Sequence, residues 1–426
     1  MFLRVLASGL FGRGGWRRGM GRLLWLLVAV FLYSAAAAIA NVAAGLYVLD
    51  LSGSRFYLVL SVLLFNAGFA FSSLVVVHVA SRRLSGHFVL AAGLVGVAAA
   101  VAGMAFARCV VVVAVLNLVY GVFAALIQPV AVSAASRVGG DVAVPRVNMA
   151  SSLGIVAGDG VAALFAGSIG VQGLLIVAGF LAAAAVLPVL YGPRVQAGVR
   201  GYPSPSAPLV TGRARYTPPH VARSSLPMPA CRGGVPWQVY AGTLVLFSGV
   251  ALFFSPMPAY LREAGISDSG IYLLSMEALL ASTVAYELLR RLELGVAVAA
   301  RLLVAASASR VAVFMLPLAG FGGFAPVGAV MALVYLLVGV TWAAISTGLP
   351  LLALRLGGGE AGVGRVNAFM SFGLVVGSLV AAPLAEAYGA VATCAAASAL
   401  AGLSTVFFAV ASGRLAGCGN TFKASA

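Results

Sequence analysis

The sequence predicts an all-α polytopic membrane protein of twelve transmembrane helices, arranged as two parallel six-helix repeats. Three observations predict it: a composition from which no water-soluble surface can be built, twelve apolar runs of bilayer-crossing length, and a motif that returns six helices later in the same direction.

Apolar residues make up 62% of the 426 and charged residues only 8%. Mean hydropathy is +1.09, whereas a soluble domain carries about one-quarter charged residues. At about 20 apolar residues per crossing, twelve crossings and their loops fit the length. The formal charge of +16 does not point to nucleic acid, because the basic residues sit in short gaps between apolar runs, where they set topology.

The runs fall near 23–48, 57–79, 88–106, 110–134, 147–168 and 171–190, then 239–260, 269–288, 296–318, 327–352, 366–384 and 391–409. Between the two sets, residues 192–236 are rich in proline, serine and arginine (GYPSPSAP, RYTPPHVARSSLP) and read as a linker. The domain reading is therefore a tail at 1–22, a six-helix half at 23–191, the linker at 192–236, a second half at 237–410 and a tail at 411–426. Arg13, Arg17, Arg18 and Arg22 before LLWLLVAVFL resemble a secretory signal, but the run continues to about Leu49, so a retained first helix is expected.

Placing the N-terminus inside puts 21 of the 26 basic residues on the cytoplasmic side. Only Arg55, Arg108 and Arg262 fall in outside gaps, and Arg301 and Arg310 fall within a span. The bias places both termini and the linker in the cytoplasm, in a multi-pass protein of the cell membrane.

The repeat is explicit. Span five begins RVNMASSLGIVAGDGVAALFAGSIG at Arg146, and span eleven begins RVNAFMSFGLVVGSLVAAPLAEAYG at Arg365; they share twelve of 25 positions without a gap. Arg146 matches Arg365, Asn148 matches Asn367, and the glycines at 154 and 158 match those at 373 and 377. A second trace is LVY at Leu118–Tyr120 and Leu333–Tyr335. Two spans running the same way, six helices apart, mark a parallel repeat about an axis along the membrane normal. The small-xxx-small spacing allows close helix approach.

With six plus six helices, a cytoplasmic central loop and an Arg-x-Asn start to a glycine-rich span five and eleven, the chain resembles the major facilitator superfamily. The family's loop motif between spans two and three is reduced to ASRRLSGH, which keeps Arg82 and Arg83 and has Ser81 where an aspartate would fall. Span five is similar to the glycine-rich antiporter motif but carries Asp159 where Gly-Pro would stand. The resemblance implies alternating access by rocking of the halves. It also implies a cavity lined by spans one, four, seven and ten. In this chain those spans offer Asn41, Asn117, Tyr120, Gln128, Tyr335 and Trp342 and no Arg or Lys, so a neutral or lipophilic solute is expected. Taken singly, each of these residues reads as a helix-packing hydrogen bond ahead of a ligand contact, so together they mark a region.

Ionisable groups at mid-span cost about 2.5–3.5 kcal/mol each and stand as site candidates. Spans eight and nine meet in a tight turn at Glu293 and Leu294, so Glu277 and Arg310 lie at one depth, and Glu287 and Arg301 at another. Glu287 with Arg301 reads as a structural ion pair near the cytoplasmic edge. For Glu277 with Arg310, a structural and a functional role are both open. The resemblance implies that span five packs against span eight, which would bring Asp159 near Glu277. Two buried acids resist ionising together, as a proton-coupling site requires, so Asp159, Glu277 and Arg310 are the coupling candidates. The alternative for Asp159 is a protonated carboxyl hydrogen-bonded to backbone.

No P-loop is present, and the single lysine, Lys423, could not serve one, so ATP-driven transport by this chain alone is excluded. His78, His87 and His220 are scattered, and Cys109, Cys231, Cys394 and Cys418 form no CxxC pair, so no metal site, disulfide framework or cofactor is expected. The reading is a secondary transporter, not an enzyme, probing a small-molecule substrate with a proton or other coupling ion, monomeric in the lipid bilayer, with efflux favoured over uptake. The alternative is a non-transporting receptor or scaffold on the same fold.

Overall fold

The computed structural model describes residues 17–73, 86–139, 143–191, 235–290, 295–353, 356 and 359–423. The expectations for Arg82 and Arg83, for the linker up to residue 234, for the far end of span two and for the turn at Glu293 and Leu294 lie outside the described residues.

Every regular element among the described residues is helical. In chain order they are α1 (Arg17–Ser52), α2 (Arg55–Phe71), α3 (Gly86–Phe106), α4 (Val110–Gly139), α5 (Ala143–Ala184), α6 (Val186–Tyr191), α7 (Trp237–Phe254), α8 (Met257–Glu263), α9 (Asp268–Arg290), α10 (Val296–Met315), α11 (Pro317–Phe321), α12 (Val327–Ala353) and α13 (Gly359–Lys423). Nine helical stretches among the described residues are long and apolar enough to cross a membrane, and α2 is apolar but shorter.

Two helices are too long for one crossing. α5 has 42 residues and α13 has 65, and at 1.5 Å per residue even the shorter would run roughly 60 Å against a hydrocarbon core about 30 Å thick. Both are broken by a left-handed glycine, Gly170 (φ 66°) and Gly389 (φ 69°). These are the final shared position of the repeat. Glycine adopts that conformation without Cβ strain, and it divides each helix into two stretches, the second of which in α5 reaches crossing length by running on through α6 to Tyr191.

The repeat also explains two of the close helix contacts. A Cβ at Gly154 would lie 2.3 Å from the Phe31 carbonyl oxygen and one at Gly158 2.3 Å from that of Ala35, so α5 rests backbone to backbone on α1. In the matching place, a Cβ at Gly373 would lie 2.5 Å from the Leu244 oxygen and one at Gly377 2.2 Å from that of Ser248, where α13 rests on α7. Lipid tails are as apolar as the helices, so close van der Waals packing holds such pairs together rather than a hydrophobic gain. The starts of the two stretches match as well: Val147 and Val366 are buried, while Asn148, Arg365 and Asn367 are exposed.

Large apolar side chains point outward around the bundle, among them Phe88, Phe106, Leu164 and Phe180. A surface apolar both inside and out is what a bilayer covers. Polar side chains inside helices largely turn back on their own backbone: Thr243 donates to the Val239 carbonyl (2.7 Å), Ser248 to Leu244 (2.9 Å) and Ser307 to Leu303 (2.8 Å).

Candidate functional site

A cavity of about 430 Å³ lies between helices from the two sides of the linker. From before the linker, α1 contributes Asn41 and α2 contributes Leu58, Val62 and Asn66. From after it, α7 contributes Phe254, α9 contributes Ser275 and Ser282, α10 contributes Arg310, and α12 contributes Tyr335 and Trp342. Asn41, Tyr335 and Trp342 thus line it, as the expected cavity list had them, while Asn117, Tyr120 and Gln128 do not. Asn117 is buried and donates to the Ser61 carbonyl (3.0 Å) and hydroxyl (2.9 Å). Tyr120 sits one layer back and donates to Asn41 Oδ1 (3.0 Å), setting the angle of a lining residue. α4 therefore supports the wall, and α2, α9 and α10 form parts of it that the expected four spans left out.

Asp159 is 1% exposed. Its Oδ2 accepts a hydrogen bond from the Ser275 hydroxyl at 2.8 Å, and its Oδ1 has no partner. The backbone hydrogen bond considered for it is not made; the contact goes across the bundle to α9. Because Ser275 lines the cavity, the carboxyl stands directly behind the wall, within electrostatic reach of Tyr335 and Tyr272. Ser378 occupies the position in the second repeat that Asp159 occupies in the first. It accepts from Asn66 of α2 (3.5 Å) and shares a hydrogen bond with Ser255 (3.3 Å). The same register position thus bridges the bundle at both of its cross-linker contacts.

Glu277 corrects the expectation. It lies two residues beyond Ser275, about 200° around the helix, on the side of α9 that presents Leu273, Leu280 and Val284 outward. It neither meets Asp159 nor pairs with Arg310. Equal depth from the turn did not bring equal azimuth. Arg310 instead faces inward: Nε donates to Thr341 Oγ1 (2.8 Å), Nη2 to the Val338 carbonyl (3.4 Å), and the guanidinium lies 5.5 Å from the Phe314 ring centre. Its place in the cavity wall removes the reason for expecting a neutral solute, which rested on cation-free spans one, four, seven and ten. Glu287 and Arg301 are both exposed; Arg301 Nε turns to the Ala297 carbonyl (3.3 Å), one turn back on its own helix, and the expected pair is not among the described ion pairs.

The ion pairs that cross the bundle lie at the end carrying Arg55 and Arg262. Arg55 grips Glu263 with two hydrogen bonds of 2.6 Å and donates to the Ala385 carbonyl (3.2 Å). Arg262 takes Asp268 (3.0 and 2.8 Å) and also Asp50. Glu386 accepts from the Phe56 amide (3.1 Å). With the mid-depth bonds Asp159–Ser275, Asn66–Ser378 and Tyr272 to the Ile39 carbonyl (3.2 Å), the described cross-linker hydrogen bonds run from mid-depth to this braced end. The sequence carried a signal for Ser275 and Ser282, which are seven apart on α9 opposite the Leu273, Leu280 and Val284 face. It carried none for which way Arg310 turns.

Known proteins show the same fold. The structure of the nucleoside transporter NupG superposes with a TM-score of 0.63 at 14% identity, covering 91% of this chain and 98% of that one. That of the POT family transporter PepTSo gives 0.68 at 14% identity, covering 93% and 98%, and a POT family transporter in complex with 5-aminolevulinic acid gives 0.68 at 12%, covering 92% and 96%. No family model and no curated protein sequence matches the chain. The chain is thus a multi-pass membrane protein, all-helical among its described residues, with the fold of these solved transporters.

Proposed function

We propose that this protein is a secondary transporter of the major facilitator type, working by alternating access between two six-helix halves, 23–191 and 237–410. The observation that carries the reading is the cavity itself: its walls come from both sides of the linker, and the described ion pairs joining those sides gather at one end. A carrier needs a binding space at the seam of two bodies and a seal that can be broken at one mouth. The Arg55 and Arg262 braces serve as that seal. By the arginine distribution the braced end is extracellular and the termini are cytoplasmic, in the cell membrane.

Asp159 is proposed as the coupling group. A buried acid whose only hydrogen bond crosses to the other half changes its environment when the halves separate, and that change lets it take up and release a proton. Export of a small molecule in exchange for entering protons is the proposed direction.

Counterflow in proteoliposomes tests the carrier reading, since only a carrier exchanges labelled solute without net driving force. The first probes are the solute classes of the structural neighbours, a nucleoside and a dipeptide, followed by organic acids. Exchange of one of them above protein-free liposomes is expected. Absence of exchange across all three classes counts against a carrier and favours a receptor or scaffold.

A further inference from the structure

We infer that the central cavity binds a small amphipathic carboxylate through the Arg310 guanidinium; the inference rests on the transporter reading only for how such a molecule comes to enter the cavity. Arg310 is 1% exposed, and Nη1 has no partner in the protein although the side chain lines the cavity. No carboxylate is among the lining residues, so nothing in the wall balances the charge. Arginine cannot shed its proton to escape burial, and a buried cation without an anion beside it carries a desolvation cost that a bound anion offsets. Thr341 holds the fork in place: its hydroxyl accepts from Nε while donating to its own helix at Leu337 (2.9 Å) or Val338 (3.0 Å). The donor is therefore set in position before any ligand arrives.

The class of anion follows from what surrounds it. One cation with one free nitrogen matches a single negative charge, whereas a phosphate would call for further cations. The remaining wall is mainly apolar, with Val62, Val250, Phe254, Leu279 and Trp342 facing the same space. A volume of about 430 Å³ is near the lower end for ligand pockets. A carboxylate on a compact apolar body satisfies all three conditions.

Binding to the purified full chain in nanodiscs is read from Trp342 fluorescence, with Trp342→Phe as the blank. The probes are benzoate and hexanoate, their neutral counterparts benzamide and hexanamide, and chloride. The expected result is saturable quenching by at least one acid, about tenfold tighter than by its amide, with the preference lost in Arg310→Gln and weakened severalfold in Thr341→Val. Equal binding of acid and amide by the unmodified protein overturns the inference without relying on any variant. So do a preference retained in a folded Arg310→Gln, displacement of benzoate by equimolar chloride, or no acid binding at all. Counterflow separates the two readings. Acid preference without exchange of benzoate or of any of the three solute classes leaves the carboxylate site standing and removes the carrier, while exchange of a neutral solute with no acid preference does the reverse.

Discussion

Asp159 of α5 and Ser275 of α9 are joined by one part-buried hydrogen bond of 2.8 Å, and through it a carboxyl from before the linker meets a cavity-lining hydroxyl from after it. Asp159→Asn keeps the shape and an acceptor for Ser275 but cannot ionise. Under the proposed coupling, this variant loses pH-gradient-driven transport by about tenfold or more while counterflow stays within about threefold. Gradient-driven transport at the unmodified rate would remove Asp159 from the mechanism.

Glu277 is the control for that experiment. Its carboxyl stands on the outward face of α9, away from the cavity, so Glu277→Gln leaves gradient-driven transport within about twofold. Glu277→Leu raises thermal stability in nanodiscs, because removing a partly buried ionisable group from the bilayer-facing side recovers part of the roughly 2–3 kcal/mol that charge costs there. A fall in transport like that of Asp159→Asn would show that equal depth, not azimuth, was the better guide.

The braces at Arg55 and Arg262 are partly exposed, with side chains 29% and 27% accessible, and each exposed pair contributes about 0.2–1 kcal/mol. The double variant Arg55→Gln, Arg262→Gln therefore shifts the proposed equilibrium toward opening at that end by severalfold. A cysteine at Gly45 reports it: the position lines the cavity, and an added Cβ there meets only Leu58 at 3.7 Å. In a background lacking the native cysteines, its labelling by a membrane-impermeant thiol reagent from outside accelerates by the same factor. Labelling that is unchanged in the double variant refutes the seal.

Gly158 and Gly377 occupy equivalent places where α5 meets α1 and α13 meets α7. Alanine at either position forces two backbones apart, at a cost of about 1–3 kcal/mol for overpacking, and both variants melt earlier than the unmodified protein. Gly167→Ala, where an added Cβ has nothing within 4 Å, leaves the melting temperature unchanged or slightly raised. Equal melting of all three would show that the close approach is not limiting.

The twelve-position match between Arg146 and Arg365 was legible without coordinates, and it reached further than its own residues. Its shared glycines are where helices touch backbone to backbone and where α5 and α13 break. Such features are local: a missing Cβ matters wherever the chain places it, and repetition of the same need leaves the same letters. Helical class and membrane residence were legible for a similar reason, since apolar bulk and period act within a single helix.

The charged groups of the site were legible only by depth. Counting residues from a turn measures height in the bilayer, because the rise per residue is constant, and it put Asp159 and Arg310 at mid-membrane. It says nothing about rotation of a helix about its axis, which depends on the neighbours each face packs against. Tertiary packing therefore decided that Arg310 turns to the cavity, that Glu277 turns away from it, and that Asp159 finds Ser275 rather than another acid. The sequence by itself determined which groups the membrane must hold; only the assembled bundle decided which of them face one another.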